Sequence, residues 1–159
     1  MLKITIISVG LLKESYYREA IAEYEKRMSA FAKITNINLK ETPMDEKSGR
    51  SAIEKALEDE GNRIIQNIPQ SAYKIALCIE GKEMSSEELS KKLEDVSQSS
   101  GECVFIIGSS HGLCDKVKKM CDMRMSMSRL TFPHRLARVM LSEALYRSLS
   151  ISAGRKYHK

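Results

Sequence analysis

Two short apolar runs do most to limit the folds open to this chain: Tyr73-Lys74-Ile75-Ala76-Leu77-Cys78-Ile79 and Cys103-Val104-Phe105-Ile106-Ile107. Neither is long enough for an ordinary helix, and both are rich in β-branched residues and end in turn-forming sequence. A strand that apolar is covered on both faces, as in the centre of a parallel sheet. Such a sheet needs helices above and below it, and the rest of the chain supplies them.

Lys3 to Val9 predicts another strand, ended by Gly10. From Lys13 to about Met28 the pattern turns helical, with Tyr17, Ala20, Ile21, Tyr24 and Met28 on one face. Lys33 to Glu41 predicts a strand with Thr35, Ile37 and Leu39 on one side and Asn36 and Asn38 on the other. Pro43 to Arg50 is a polar connection. Ser51 to Ile68 predicts a helix with Ile53, Leu57, Ile64 and Ile68 inward, weakened at Gly61 and closed by Pro69. Glu80-Gly81-Lys82 is expected as a loop. In Ser85-Ser86-Glu87-Glu88, Ser85 caps a helix and Glu88 reaches back, and that helix runs to about Val96. A short helix follows over Leu113 to Met120, then a short fifth strand over Met123 to Met127. The expectation is one α/β domain over residues 1–159, with a mainly parallel sheet flanked by helices. Ligands then bind outside the carboxyl ends of the strands, which brings together residues 77–81, 108–112 and 127–132.

Charge is unevenly placed. From His111 onward there are 11 Lys and Arg against 3 Asp and Glu, a net +8, whereas residues 1–110 carry 15 against 18, a net −3. A basic third suggests a face for a polyanion, and equally fits solvated helix surfaces. No apolar run reaches membrane-spanning length, so no membrane association is expected. The N-terminus reads as a strand and not as a signal peptide, which makes the cytoplasm the expected location. The four cysteines, Cys78, Cys103, Cys114 and Cys121, lack C-x-x-C spacing, so reduced thiols and no metal are expected. Gly108-Ser109-Ser110-His111-Gly112 follows a strand as a ligand-approaching loop would, yet it is neither a dinucleotide fingerprint nor a P-loop, and a plain strand-to-helix turn reads the same way.

The last long helix carries the most functional side chains. It is predicted to open with Pro133 at its first position. Leu136, Met140, Leu141, Ala144 and Leu145 form its apolar face, beside His134, Arg135, Arg138, Glu143, Tyr146 and Arg147. Arg138 suits a phosphate or an ion pair with Glu143.

Leu130-Thr131-Phe132-Pro133-His134, then Arg138-Val139, Glu143-Ala144-Leu145-Tyr146-Arg147 and the terminal Tyr157-His158-Lys159, resemble the RlmH family over the whole chain. These are SPOUT-class methyltransferases of large-subunit ribosomal RNA. The resemblance implies a C-terminal trefoil knot, S-adenosylmethionine as cofactor, and N3 of a pseudouridine in 23S rRNA of the assembled ribosome as substrate. It implies a homodimer with the last helix in the interface and each active site completed by the partner chain. Carried over by motif, the cofactor residues are Leu77, Gly108, Met127, Ser128, Arg129, Leu130, Thr131 and Phe132. His134 and Arg138 are the catalytic candidates. Arg138, Arg147, Tyr157, His158 and Lys159 are the RNA-binding candidates. His111 matches no family catalytic position, and Ser109 stands where the family has a second glycine.

That departure favours the alternative, a non-catalytic ribosome- or RNA-binding module of the same fold. A thiol hydrolase using Cys103 or Cys114 with His111 lacks the orienting third group such sites need.

Overall fold

A computed structural model describes residues 1–159, apart from the side chain of Glu46. Five strands, β1 (Leu2–Val9), β2 (Ala32–Leu39), β3 (Tyr73–Glu83), β4 (Glu102–Ile107) and β5 (Met123–Ser126), form one sheet in the order β2-β1-β4-β3-β5. Every neighbouring pair is parallel. The helices between them are α1 (Ser15–Met28), α2 (Arg50–Asn67), α3 (Ser86–Gln98) and α4 (Asp115–Met120), with α5 (His134–Ser152) closing the chain.

The sheet has an apolar core on each side. Ile4, Ile6, Ile75, Cys103, Phe105 and Met125 face one core, with Met28 of α1, Leu89 and Leu93 of α3, and Leu141, Leu145 and Leu149 of α5. Ile7, Val9, Ala76, Val104 and Ile106 face the other, under Ile64 of α2 and Val117 of α4. The alternation follows from the period-two side-chain geometry of strands. It also splits β2 as expected. Ile37 and Leu39 join the second core, while Asn36 bonds Glu25 of α1 and Asn38 bonds Arg138 of α5 on the first side. No helix among the described residues is long and apolar enough to cross a membrane.

The capping box of α3 forms as expected: Ser85 Oγ accepts from the Glu88 amide at 3.1 Å, and Glu88 Oε2 accepts from the Ser85 amide at 2.7 Å.

Three expectations need correction. First, Glu80-Gly81-Lys82 is not a loop but part of an eleven-residue β3. The ladder with β5 restarts after an irregularity, so that both Leu77 and Lys82 are registered on Met125. A Cβ on Gly81 would stand 2.7 Å from the Met125 carbonyl carbon, so glycine is what lets the two backbones pass. Second, Pro133 is not the first helical residue. Its ψ of 139° is extended, and its carbonyl accepts the Ala137 amide, which makes it the N-cap. Third, α2 buries Ala56, Glu60, Gly61 and Ile64, while Ile53 and Leu57 lie half-buried at the edge. Gly61 is a packing contact and not a weak point: a Cβ there would lie 2.3 Å from Cys114 Sγ.

Candidate functional site

The carboxyl ends of β3, β4 and β5 open into a cavity of about 780 Å³, a size that suits a drug-sized or nucleoside-sized ligand. Leu77, Gly108, Met127, Ser128, Leu130, Thr131 and Phe132 all line it, and so does His134 at the start of α5. Arg129 is exposed and is not among the lining residues. Leu130 is 71% exposed, an apolar side chain left at the mouth of the cavity. Cys78, Ile79 and Glu80 of β3 also contribute, within the stretch 77–81 that the sequence expected at the ligand-binding strand ends. Glu80 Oε1 holds Lys118 Nζ at 2.6 Å, and that ammonium lowers the carboxyl pKa.

The wall after β4 is a tight turn. Ser109 and Gly112 form an isolated bridge, with the Gly112 amide donating to the Ser109 carbonyl at 2.9 Å. Ser109 stands where the resemblance led to an expected glycine, and its hydroxyl donates to Glu60 Oε1 at 2.8 Å. Glu60 is 4% exposed, and its Oε2 accepts the Thr42 amide at 2.9 Å. The buried carboxylate of α2 thus ties this turn to the segment after β2. Ser109→Ala or Ser109→Gly removes one of those donors and leaves Glu60 Oε1 without it, at a cost of about 2 kcal/mol. Thermal unfolding is expected to show a midpoint lower by roughly 4–8 °C in either variant.

His134 and Arg138 sit one turn apart on α5. The His134 ring is mostly covered, and burial pushes its pKa down; Arg135 and Arg138 reinforce that, while Glu41 and Glu14 oppose it. The imidazole is therefore biased toward its neutral form. Arg138 is 5% exposed, and its Nη2 donates to Asn38 Oδ1 at 2.7 Å. It does not pair with Glu143, which instead holds Arg147 Nε at 3.0 Å. Burial pushes the Arg138 guanidinium pKa down, and its Nη1 is left without a hydrogen-bond partner.

The tail is docked and not frayed. Tyr157 packs on Tyr146 with ring centroids 4.5 Å apart, its hydroxyl donates to Glu143 at 3.2 Å, and the Arg147 guanidinium lies 4.8 Å over its ring. His158 Nε2 meets Glu87 Oε1 at 2.8 Å, and its Nδ1 is 3.3 Å from Arg147. Lys159 is exposed. These residues share one surface at the far half of α5. Arg147 lies thirteen positions along the helix from His134, about 20 Å along the axis, so the tail cluster and the cavity do not meet within the chain.

Cys103 offers no nucleophile of the hydrolase kind. Cys103 is fully buried in β4, and burial pushes its thiol up to about 12.

A family model described as "Predicted SPOUT methyltransferase" matches residues 2–158. Ribosomal RNA large subunit methyltransferase H of Streptococcus uberis is 43% identical over 159 residues, covering 99% of this chain and 100% of that one. The protein of that name from Caldicellulosiruptor bescii is 45% identical over 156 residues, covering 98% and 99%. Among solved structures, a probable methylase family protein from Haemophilus influenzae Rd KW20 aligns with a TM-score of 0.52 at 14% identity, over 99% of this chain and 70% of that one, a likeness of fold alone. A match that runs nearly from end to end, with a cavity at the strand ends where the motifs converge, means that this chain belongs to the SPOUT methyltransferases, in the RlmH family.

Proposed function

We propose that this protein transfers a methyl group from S-adenosylmethionine to N3 of a pseudouridine in the large-subunit RNA of the assembled ribosome, in the cytoplasm. SPOUT methyltransferases use that cofactor. The observation that carries the reading is the cavity itself: seven of the eight motif-derived cofactor residues line one space of about 780 Å³. The group fits the residues present. Leu77, Leu130 and Phe132 are apolar surfaces for a purine ring. The irregular backbone of residues 127–132 can offer amides and carbonyls to its edge.

A bound sulfonium cofactor supplies a methyl group that is already electrophilic. The protein's task is to bring an imide nitrogen in line with it, exclude water and accept a proton. His134 borders the cavity and is held toward its neutral form, the form able to accept that proton. His134 would take the proton that the imide nitrogen gives up when that nitrogen accepts the methyl group, whose bond to the sulfonium breaks to leave a neutral thioether. Arg138 is buried one turn behind and acts through its field, favouring neutral His134 and stabilising negative charge on the imide.

The roughly 20 Å between tail and cavity supports a homodimer in which the tail of one protomer serves the cavity of the other. Tyr157 would stack on a base there, with Arg147, His158 and Lys159 meeting phosphate. The inner face of α5 is already spent within the protomer, through Leu141, Leu145 and Leu149. The half-buried Leu136, Val139, Met140 and Ile151 are large apolar side chains that α5 has left for a partner. We also read the C-terminal third of this single domain as a trefoil knot, a reading supported by membership of the SPOUT family. The non-catalytic alternative rested on Ser109, whose hydroxyl is tied to Glu60, so nothing favours it.

The test is transfer of radiolabelled methyl groups to ribosomes from cells lacking their own enzyme, with the labelled nucleotide mapped. Label at a pseudouridine of the large-subunit RNA is expected; label elsewhere, or none, refutes the assignment. Thr131→Arg checks the site. Wild-type protein at hundredfold excess of cofactor over Kd should gain about 2.7 kcal/mol, which raises its melting midpoint by roughly 5–10 °C. The variant fills the cavity from its lining and should gain nothing.

A further inference from the structure

One group at the cavity is placed for work that the pairing of His134 with Arg138 does not explain. His134 Nε2 is buried and has no hydrogen-bond partner. Glu41, just beyond β2, brings Oε1 to 3.8 Å from it. Room for that nitrogen comes from Gly10 at the end of β1, where a Cβ would stand 2.8 Å from Nε2. The ring also borders the large cavity, while Glu41 borders a smaller one of about 330 Å³ that shares Ser109, Ser110 and His111 with it.

A neutral imidazole carries its proton on one nitrogen and a lone pair on the other, and a neighbouring acceptor decides which. We infer that Glu41 is a positioning residue: its carboxylate draws the proton of His134 to Nε2 and so turns the lone pair of Nδ1 toward the cavity and the substrate. The separation of 3.8 Å is longer than a hydrogen bond, but closing it takes less than about 1 Å, and catalytic contacts commonly tighten only when substrate is bound. Glu41 is 44% exposed and has the freedom to move that far. The inference rests on the proposed role of His134 as proton acceptor. The charged groups acting on the ring are Glu41 after β2, Glu14 before α1, and Arg135 and Arg138 on α5. Glu41 is the stronger of the two carboxylates, and it opposes the two arginines.

Nitrogen NMR of histidine-labelled full-length protein reads the tautomer directly. Three histidines are present, and loss of one signal set in His134→Gln assigns the ring. The expected state is Nε2–H in the wild type and a mixture, or Nδ1–H, in Glu41→Ala. Nδ1–H in the wild type, or no change in Glu41→Ala, overturns the inference. The second readout is the pH dependence of single-turnover methyl transfer to unmodified ribosomes. The wild-type rate rises with pH as His134 loses its proton. Glu41→Gln removes a charge that raises the His134 pKa, so the rising limb should move to lower pH. The plateau should fall about tenfold, with Glu41→Asp recovering part of it. A limb that stays in place argues against Glu41. Should His134→Gln turn over normally, the proton-acceptor reading fails, and the NMR result still decides whether Glu41 orients the ring.

Discussion

Changing Gly108 to alanine is expected to abolish methyl transfer and to lower the melting midpoint by roughly 6–12 °C, the equivalent of about 3 kcal/mol in a domain of this size. The added Cβ would lie 2.2 Å from the Gly112 carbonyl oxygen and 2.5 Å from its carbon. Both are backbone atoms, so neither can swing aside as a flexible side chain would. The Ser109–Gly112 bridge must open, and the wall of the cavity moves with it. Overpacking in a close-packed interior typically costs a few kcal/mol because neighbours are forced off their minima. Two effects are therefore read separately, unfolding by calorimetry and cofactor affinity by titration below the lowered midpoint. Affinity should fall at least about a hundredfold, since about 3 kcal/mol of strain is concentrated in one wall of the site. Ser110→Ala, on the exposed side of the same turn, is the control, and should stay within about 0.5 kcal/mol.

Removing Tyr157-His158-Lys159 is expected to leave cofactor binding intact and to reduce RNA methylation by at least about a hundredfold. The first half follows from the distance of about 20 Å between the tail surface and the cavity of the same chain. The second follows from what the tail arranges: a tyrosine ring, the Arg147 guanidinium above it and a histidine beside both. This is a surface suited to a base and its phosphate. The same truncation tests the dimer. Protein lacking the tail and protein carrying Thr131→Arg should each be inactive. Mixed and allowed to exchange subunits, they should recover about a quarter of wild-type activity, because half the dimers are mixed and each has one complete site. No recovery would mean that the tail serves its own cavity.

The parts of this fold visible in the sequence are those set by local pattern. Buried central strands announce themselves by apolar runs, and the cap of α3 by Ser85 and Glu88. What was hidden depends on partners far along the chain. Gly81 is the clearest case: it reads as a loop residue until β5 crosses it, because a bulge is a property of two strands and the sequence of one shows only the glycine. Gly61 reads as a weak spot in α2 until Cys114 lies against it. The cavity lining was legible because the motifs follow strand ends, and strand ends converge in any parallel sheet. Its supporting polar groups were not. Glu60 looks like any surface glutamate of an amphipathic helix, and only the fold puts Ser109 and Thr42 on it. Arg138 looks like a surface arginine, and only β2 buries it against Asn38. Glu41 carried no signal at all, since its meaning lies in the nitrogen of a residue 93 positions away.

The order of the strands has a consequence for how the protein is made. β1 lies between β2 and β4, with Lys3 registered on both Lys33 and Glu102. β1 thus lacks one of its two neighbours until residues 102–107 have followed it off the ribosome. At about 5–20 residues per second, that wait lasts roughly 5–20 s. During it, Ile4 and Ile6 lack one neighbouring strand, and α5, which covers that face, emerges later still. Parallel pairing of distant segments is also slow in its own right, because loop closure precedes any reward from contact. A permuted chain, opened between β2 and α2 so that β1 follows α5, should shorten that wait, because β4 would then be made before β1.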